Sequence, residues 1–251
     1  MTSANIVGYN TIEVKSDTWY LVAPQFTDVA ASDDTVDLLK VIKMTGVNAV
    51  PFANRTTGAQ IQIYSPASGG YTTYYYINNG RLTVDGETIT GQTGWGRSTT
   101  LATSIPVTLG QGVWMKVGSA ETGASITVTG EVSDAKSKTL TVGANGTWDI
   151  CCNPFPTAIS WENVVTEGFT PVPFADRTQG AQLQVYNAES KGYTTYYYIN
   201  NGRKVIDGQT VTGLTGWGRS TTLATGTFAD VGQAFWVKAP TQGTLTFNFG
   251  E

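Results

Sequence analysis

The sequence contains no histidine. That excludes Ser-His-Asp and Cys-His catalysis, histidine-ligated zinc and the imidazole pH switch. Charge is also scarce: Asp, Glu, Lys and Arg make up 14% of the chain, against about 25% in an average soluble domain. The formal net charge is −4, whereas phosphate backbones are bound by basic surfaces, so nucleic acid is not an expected partner. No apolar run approaches the ~20 residues of a membrane-spanning helix. No charged-then-apolar leader opens the chain, which reads as mature or non-secreted. Cysteine is limited to the adjacent pair Cys151-Cys152, too few for a metal cage and strained as a vicinal disulfide. On a strand, such neighbours point to opposite faces. Val22 and Ala23 hold the matching positions in repeat 1, so the pair reads as two buried or half-buried free thiols, with an intermolecular bridge from an exposed Cys152 as the minor option.

Residues that favour strands and turns are abundant. The 251 residues include 40 Thr, 29 Gly, 12 Tyr and 7 Trp. Thr, Tyr and Trp favour strands and Gly favours turns, so the composition predicts an all-β protein.

The chain is also written twice. PFANRTTGAQIQIY from Pro51 returns as PFADRTQGAQLQVY from Pro173, and Pro51–Thr103 matches Pro173–Thr225 at 39 of 53 positions without a gap. Further upstream, Thr18–Phe26 aligns with Thr147–Phe155, so repeat 1 carries an insertion before Pro51. Ile6-Val7-Gly8 looks like Val128-Thr129-Gly130, which places the boundary near Ala120. Two domains are expected, 1–120 and 121–251.

Within each unit the turn chemistry predicts a three-stranded meander. Tyr71–Ile77 is followed by Asn78-Asn79-Gly80, Arg81–Val84, Asp85-Gly86 and Glu87–Thr90, and Asn-Gly and Asp-Gly suit type I′ turns. In Gly58–Tyr64, Ala59, Ile61 and Ile63 alternate with Gln60 and Gln62, as in a half-buried strand. Val113–Val117 and Phe235–Lys238 read as closing strands. One short helix is expected in repeat 1, over Asp33–Ile42, capped by Asp33 or Asp34, with Val36, Leu39 and Ile42 on one face. Repeat 2 keeps at most a turn around Ser160–Val165. The expected architecture is two tandem antiparallel β-sandwich or barrel domains.

Candidate chemistry is sparse. Asp85 recurs as Asp207, but Glu87 becomes Gln209, so no carboxylate pair of glycosidase type is kept in both units. The acidic cluster Asp28, Asp33, Asp34 and Asp37 has the chemistry for calcium but lacks EF-hand spacing, and it is read as a solvated helix start. No catalytic residue, cofactor or metal is expected. The most distinctive loop is Thr93-Gly94-Trp95-Gly96-Arg97-Ser98-Thr99-Thr100, repeated unchanged at Thr215–Thr222. An exposed Trp95 or Trp217 beside Arg97 or Arg219 has the chemistry to stack on a sugar ring; a buried one plugs the end of a sandwich. Tyr74-Tyr75-Tyr76 and Tyr196-Tyr197-Tyr198 alternate faces on a strand, so at least one Tyr per unit should face out. These ten residues form the candidate interaction surface.

Four motifs carry a resemblance. They are Ile6-Val7-Gly8-Tyr9, Cys152-Asn153-Pro154-Phe155, Gly69-Gly70-Tyr71-Thr72-Thr73-Tyr74 and Gly110-Gln111-Gly112-Val113-Trp114. In these the chain resembles a group of bacterial secreted and cell-surface β-repeat proteins. The resemblance implies an exported scaffold protein, extracellular or at the cell surface, and it carries over no functional residue. The sequence therefore predicts a non-catalytic structural protein that self-associates into filaments or layers. The alternative is a bivalent carbohydrate-binding module with one Trp-Gly-Arg loop per repeat.

Overall fold

The computed structural model describes residues 7–27, 35–118, 120–133, 135–143 and 146–249. Repeat 1 runs β1 (Val7–Glu13), β2 (Thr18–Val22), β3 (Thr35–Asp37), α1 (Leu38–Val41), β4 (Ile42–Val47), β5 (Gln60–Ser65), β6 (Gly70–Val84), β7 (Glu87–Gly96), β8 (Pro106–Thr108), β9 (Val113–Val117) and β10 (Ala120–Glu131). Repeat 2 runs β11 (Ser137–Val142), β12 (Trp148–Cys152), β13 (Ile159–Ser160), β14 (Val164–Glu167), β15 (Gln182–Asn187), β16 (Gly192–Ile206), β17 (Gln209–Gly218), β18 (Thr227–Ala229), β19 (Ala234–Lys238) and β20 (Gly243–Asn248). The protein is all-β, and its strand ladders are antiparallel.

Both repeats use one strand order. A five-stranded sheet, β2-β9-β5-β6-β7 or β12-β19-β15-β16-β17, faces a three-stranded sheet, β1-β10-β4 or β11-β20-β14. Alternation along each strand supplies the core between them. In repeat 1, Val22, Ile61, Val113 and Met115 from the larger sheet meet Ile42, Ile126 and Val128 from the smaller. In repeat 2, Cys151, Leu183, Phe235 and Val237 meet Leu245 and Phe247. The expected closing strands lie inside the larger sheets, between β2 and β5 and between β12 and β15.

Several expectations need correction. Strand β10 pairs with β1 and β4, so the first unit extends past Ala120 through Glu131, and the chain crosses to the second just before β11. The helix shrinks to Leu38–Val41, because Thr35–Asp37 pairs with β8 instead. Asp37 is its cap: one carboxylate oxygen accepts from Leu39 N (3.1 Å) and Ile105 N (2.9 Å). Asp28, Asp33 and Asp34 lie outside the described residues. In repeat 2 the corresponding turn is a short 3-10 helix, Trp161–Asn163.

Asn78-Asn79-Gly80 does not turn the chain. Strand β6 runs straight through it with a shift in register on either side of Gly80. A Cβ at Gly80 would sit 2.4 Å from Leu101 Cδ2, so the glycine admits Leu101 against the strand. Asp85-Gly86 is the hairpin turn, both residues having positive φ (50° and 86°), as type I′ geometry requires. Among the described residues no helix is long and apolar enough to cross a membrane.

The two repeats dock through the outward faces of their five-stranded sheets. Leu21, Ala23 and Trp114 of repeat 1 form one buried cluster with Ile150, Cys152, Ala234 and Trp236 of repeat 2. The contacts are reciprocal. Tyr64 packs on Trp236 (ring centroids 5.0 Å) and Tyr186 on Trp114 (4.8 Å). Ala23 N donates to Gly232 O, and Cys152 N donates to Gly110 O, both at 2.8 Å. A patch that meets its own counterpart in this way has the geometry of a two-fold interface within one chain. It also accounts for the cysteines, which are the buried free thiols that the sequence suggests. Cys151 faces its own core and Cys152 faces the other repeat, both are buried, and neither is bridged. Burial pushes both thiols well above the ordinary range, so they are poor nucleophiles.

Candidate functional site

The repeated loop is a plug. Trp95 sits on β7 opposite Tyr76 of β6, with ring centroids 5.3 Å apart. The chain then folds back, and Ala102 N donates to Trp95 O (2.7 Å). The indole is 9% exposed in repeat 1, and Trp217 is 6% exposed in repeat 2. Trp217 Nε1 donates to Thr166 Oγ1 (3.1 Å), and its ring also meets Phe169 and Trp161. Both indoles therefore belong to the cores. Trp95 and Trp217 are thus buried, as the plug reading expects, and not exposed as a bivalent platform of Trp-Gly-Arg loops would need.

The tyrosines divide by strand parity. Tyr74, Tyr76, Tyr196 and Tyr198 pack against the two cores. Tyr75 and Tyr197 face outward and are half-buried. Tyr75 meets Phe52 edge-on at 6.0 Å, and Arg55 lies 4.5 Å from the Phe52 centroid and 5.6 Å from that of Tyr75. Tyr197, Phe174 and Arg177 repeat this arrangement. The cations that join the aromatic face are thus Arg55 and Arg177, while Arg97 and Arg219 sit exposed on the loops. The most exposed tyrosines of these strands are Tyr71 and Tyr193, three residues before Tyr74 and Tyr196, where the candidate segments begin.

Lys116 Nζ lies 2.6 Å from the Asp17 carboxylate, and this contact holds Asp17 below the ordinary carboxylate range. At the junction of the repeats Asp149 accepts from Gly143 N, but burial outweighs that bond and raises its pKa.

A further feature was not singled out in the sequence. Beyond Arg81 the strands β6 and β7 leave the sandwich as a two-stranded ribbon, and the pairing of Leu82–Gly91 is confined to the ribbon. The same holds for Lys204–Gly213 in repeat 2. Leu82 pairs across the ribbon with Ile89, and Val84 shares their face. Val84 and Ile89 are exposed, as are Val205 (65%), Ile206 and Val211. The available signal was the cluster of branched apolar residues flanking Asp85-Gly86 and Asp207-Gly208, in excess of what one buried strand face uses.

Compared with known proteins, the chain matches no family model, and no curated protein or solved structure is significantly similar to it.

Proposed function

We propose that the protein is a non-catalytic structural protein of the cell exterior that assembles through its own surfaces into filaments or layers. The observation that carries this reading is the pair of projecting ribbons. A two-stranded hairpin is marginally stable in water. These two add exposed valine and isoleucine side chains and strand edges that stay unpaired over the ribbon. Such edges are templates for strand addition. The reciprocal docking of the repeats holds both ribbons on one body, so contacts made by each would propagate from copy to copy. The resemblance to secreted and surface β-repeat proteins points in the same direction.

The test is sedimentation over a wide concentration range with electron microscopy of the concentrated protein. The intact chain is expected to form ordered polymers. A variant carrying Val84→Thr, Ile89→Thr, Val205→Thr and Ile206→Thr should keep its thermal stability and remain monomeric. A strictly monomeric intact chain at all concentrations would rule the reading out.

A further inference from the structure

Repeat 2 contains a depression at the base of its ribbon that repeat 1 lacks the residues to form. It lies beside Trp217 and has a volume of about 260 Å³, lined among others by Trp161, Glu162, Thr166, Tyr198, Lys204 and Trp217. That volume is below the roughly 300–1,000 Å³ typical of drug-sized ligands, so it suits a single ring.

Three of the lining residues are aromatic, Trp161, Tyr198 and Trp217, and Trp161 is held in place by its own ring contacts. Trp161 stacks on Phe228 at 4.0 Å, lies 4.8 Å from Tyr196 and runs nearly parallel to Trp217 at 6.0 Å. Its rim is polar and electrically balanced. Lys204 Nζ lies 3.7 Å from Glu162 Oε1, and the two side chains are 37% and 49% exposed. Thr166 accepts the Trp217 N–H, which leaves its own hydroxyl proton free to donate.

Strand pairing identifies the matching positions in repeat 1. Lys43 lies opposite Thr127 and Val165 opposite Thr246. Thr127 and Thr246 make the same hydroxyl contact with β1 and β11, to Thr11 (3.0 Å) and Thr139 (2.8 Å). In that register Trp161, Glu162 and Thr166 replace Leu39, Lys40 and Met44, and Lys204 replaces Leu82. Three aliphatic or thioether side chains have become an indole, a hydroxyl and an ammonium around the same buried tryptophan.

We infer that this depression binds one neutral pyranose unit. A pyranose has a C–H face that suits aromatic walls and a rim of hydroxyls that suits an adjacent carboxylate, ammonium and hydroxyl. A ligand with net charge would have to compete with the Lys204–Glu162 pair, whereas a neutral polyol bonds to both members. The inference is independent of the assembly reading and gives one site per chain.

The full chain is titrated with the methyl glycosides of glucose, galactose, mannose, xylose and N-acetylglucosamine, followed by tryptophan fluorescence and calorimetry. At least one is expected to bind at a stoichiometry of one, with a Kd of about 1 mM. Lys204→Leu restores the repeat 1 residue and should weaken binding about tenfold. Glu162→Gln should weaken it less, and Leu82→Lys should leave it unchanged. All three positions are at least partly solvent-exposed, and far-UV circular dichroism checks that each variant folds. No saturable response to any of the five sugars would overturn the inference. A stoichiometry of two, or unchanged affinity in both Lys204→Leu and Glu162→Gln, would overturn it as well.

Discussion

Repeat 1 and repeat 2 hold the same tryptophan in the same strand and surround it differently. Trp95 closes its sandwich among positions carrying Leu39, Met44 and Leu82, where the two partly buried residues that pack on the core are aliphatic or thioether. Trp217 closes its sandwich beneath Trp161, Thr166 and the Lys204–Glu162 pair. The eight-residue loop that carries the indole is identical in both. The difference teaches that the loop serves the core, and that any individuality of the repeats resides in what borders it. Core packing constrains a buried side chain whatever the surface does, so a loop can stay constant while its surroundings change chemistry.

Removing the plugs tests this comparison most severely. Trp217→Ala is expected to destabilise the chain by about 3–5 kcal/mol, the usual cost of truncating a buried aromatic. Trp95→Ala should fall at the lower end of that range, because Trp217 meets Trp161, Phe169 and Tyr198 and donates to Thr166, while the ring partner of Trp95 is Tyr76. Urea unfolding of the two variants side by side measures both. Equal losses would show that the extra contacts of repeat 2 contribute no stability.

The docking of the repeats is broken next. A Cβ at Gly112 would lie 2.4 Å from Ala234 Cβ and 2.7 Å from Ile150 Cγ2. Gly112→Val should therefore cost about 1–3 kcal/mol as an overpacked contact. Hydrogen exchange at the Ala23 and Cys152 amides should rise together, since each donates across the junction. Adding Ala234→Gly should recover part of the loss. No recovery would mean that the two positions do not meet.

The smallest expected effect concerns the position held by Tyr20 in repeat 1 and Asp149 in repeat 2. Burial raises the Asp149 pKa despite the bond from Gly143 N. The folded chain therefore holds its proton to higher pH than the unfolded chain, and stability falls as pH rises through that window. Asp149→Asn keeps an acceptor and removes the charge. It should be slightly more stable than the parent at neutral pH, and the advantage should vanish in acid, where both side chains are neutral. Thermal melts at pH 7 and pH 3 compare them. An advantage that persists at low pH would assign the effect to packing.

Much of each unit was legible in the sequence because the relevant forces are local. The alternation of Ile61 and Ile63 with Gln60 and Gln62 marks β5, and Asp85-Gly86 marks the hairpin of β6 and β7. The misreadings came from contacts between residues far apart in the chain. Val7-Gly8 and Thr129-Gly130 look like two copies of one strand start, yet they are antiparallel neighbours, with Gly8 opposite Gly130. Their likeness has a steric cause. A Cβ on Gly8 would lie 2.5 Å from Phe26 Cε1, and one on Gly130 would lie 2.5 Å from Thr27 O and 2.9 Å from Phe26 Cβ, so both glycines make room for the Phe26-Thr27 segment. Asn78-Asn79-Gly80 reads as a turn in the sequence because the residue that demands Gly80, Leu101, lies across the loop. The candidate site was legible as a set of residue types. Whether Trp95 was platform or plug depended on the sheet packed beneath it.

The sequence alone determined the period of the strands, the hairpin at each Asp-Gly and the division of every strand into an apolar and a mixed face, because these follow from backbone geometry and neighbouring side chains. Tertiary structure alone decided which of those faces meet water. Trp114, Tyr64 and Cys152 point away from the cores of their own sandwiches, and they are removed from solvent wholly or in part because the other repeat presents the same patch to them. Alternation tells a strand that it has two sides, and only the neighbouring sheet makes one of them an interior.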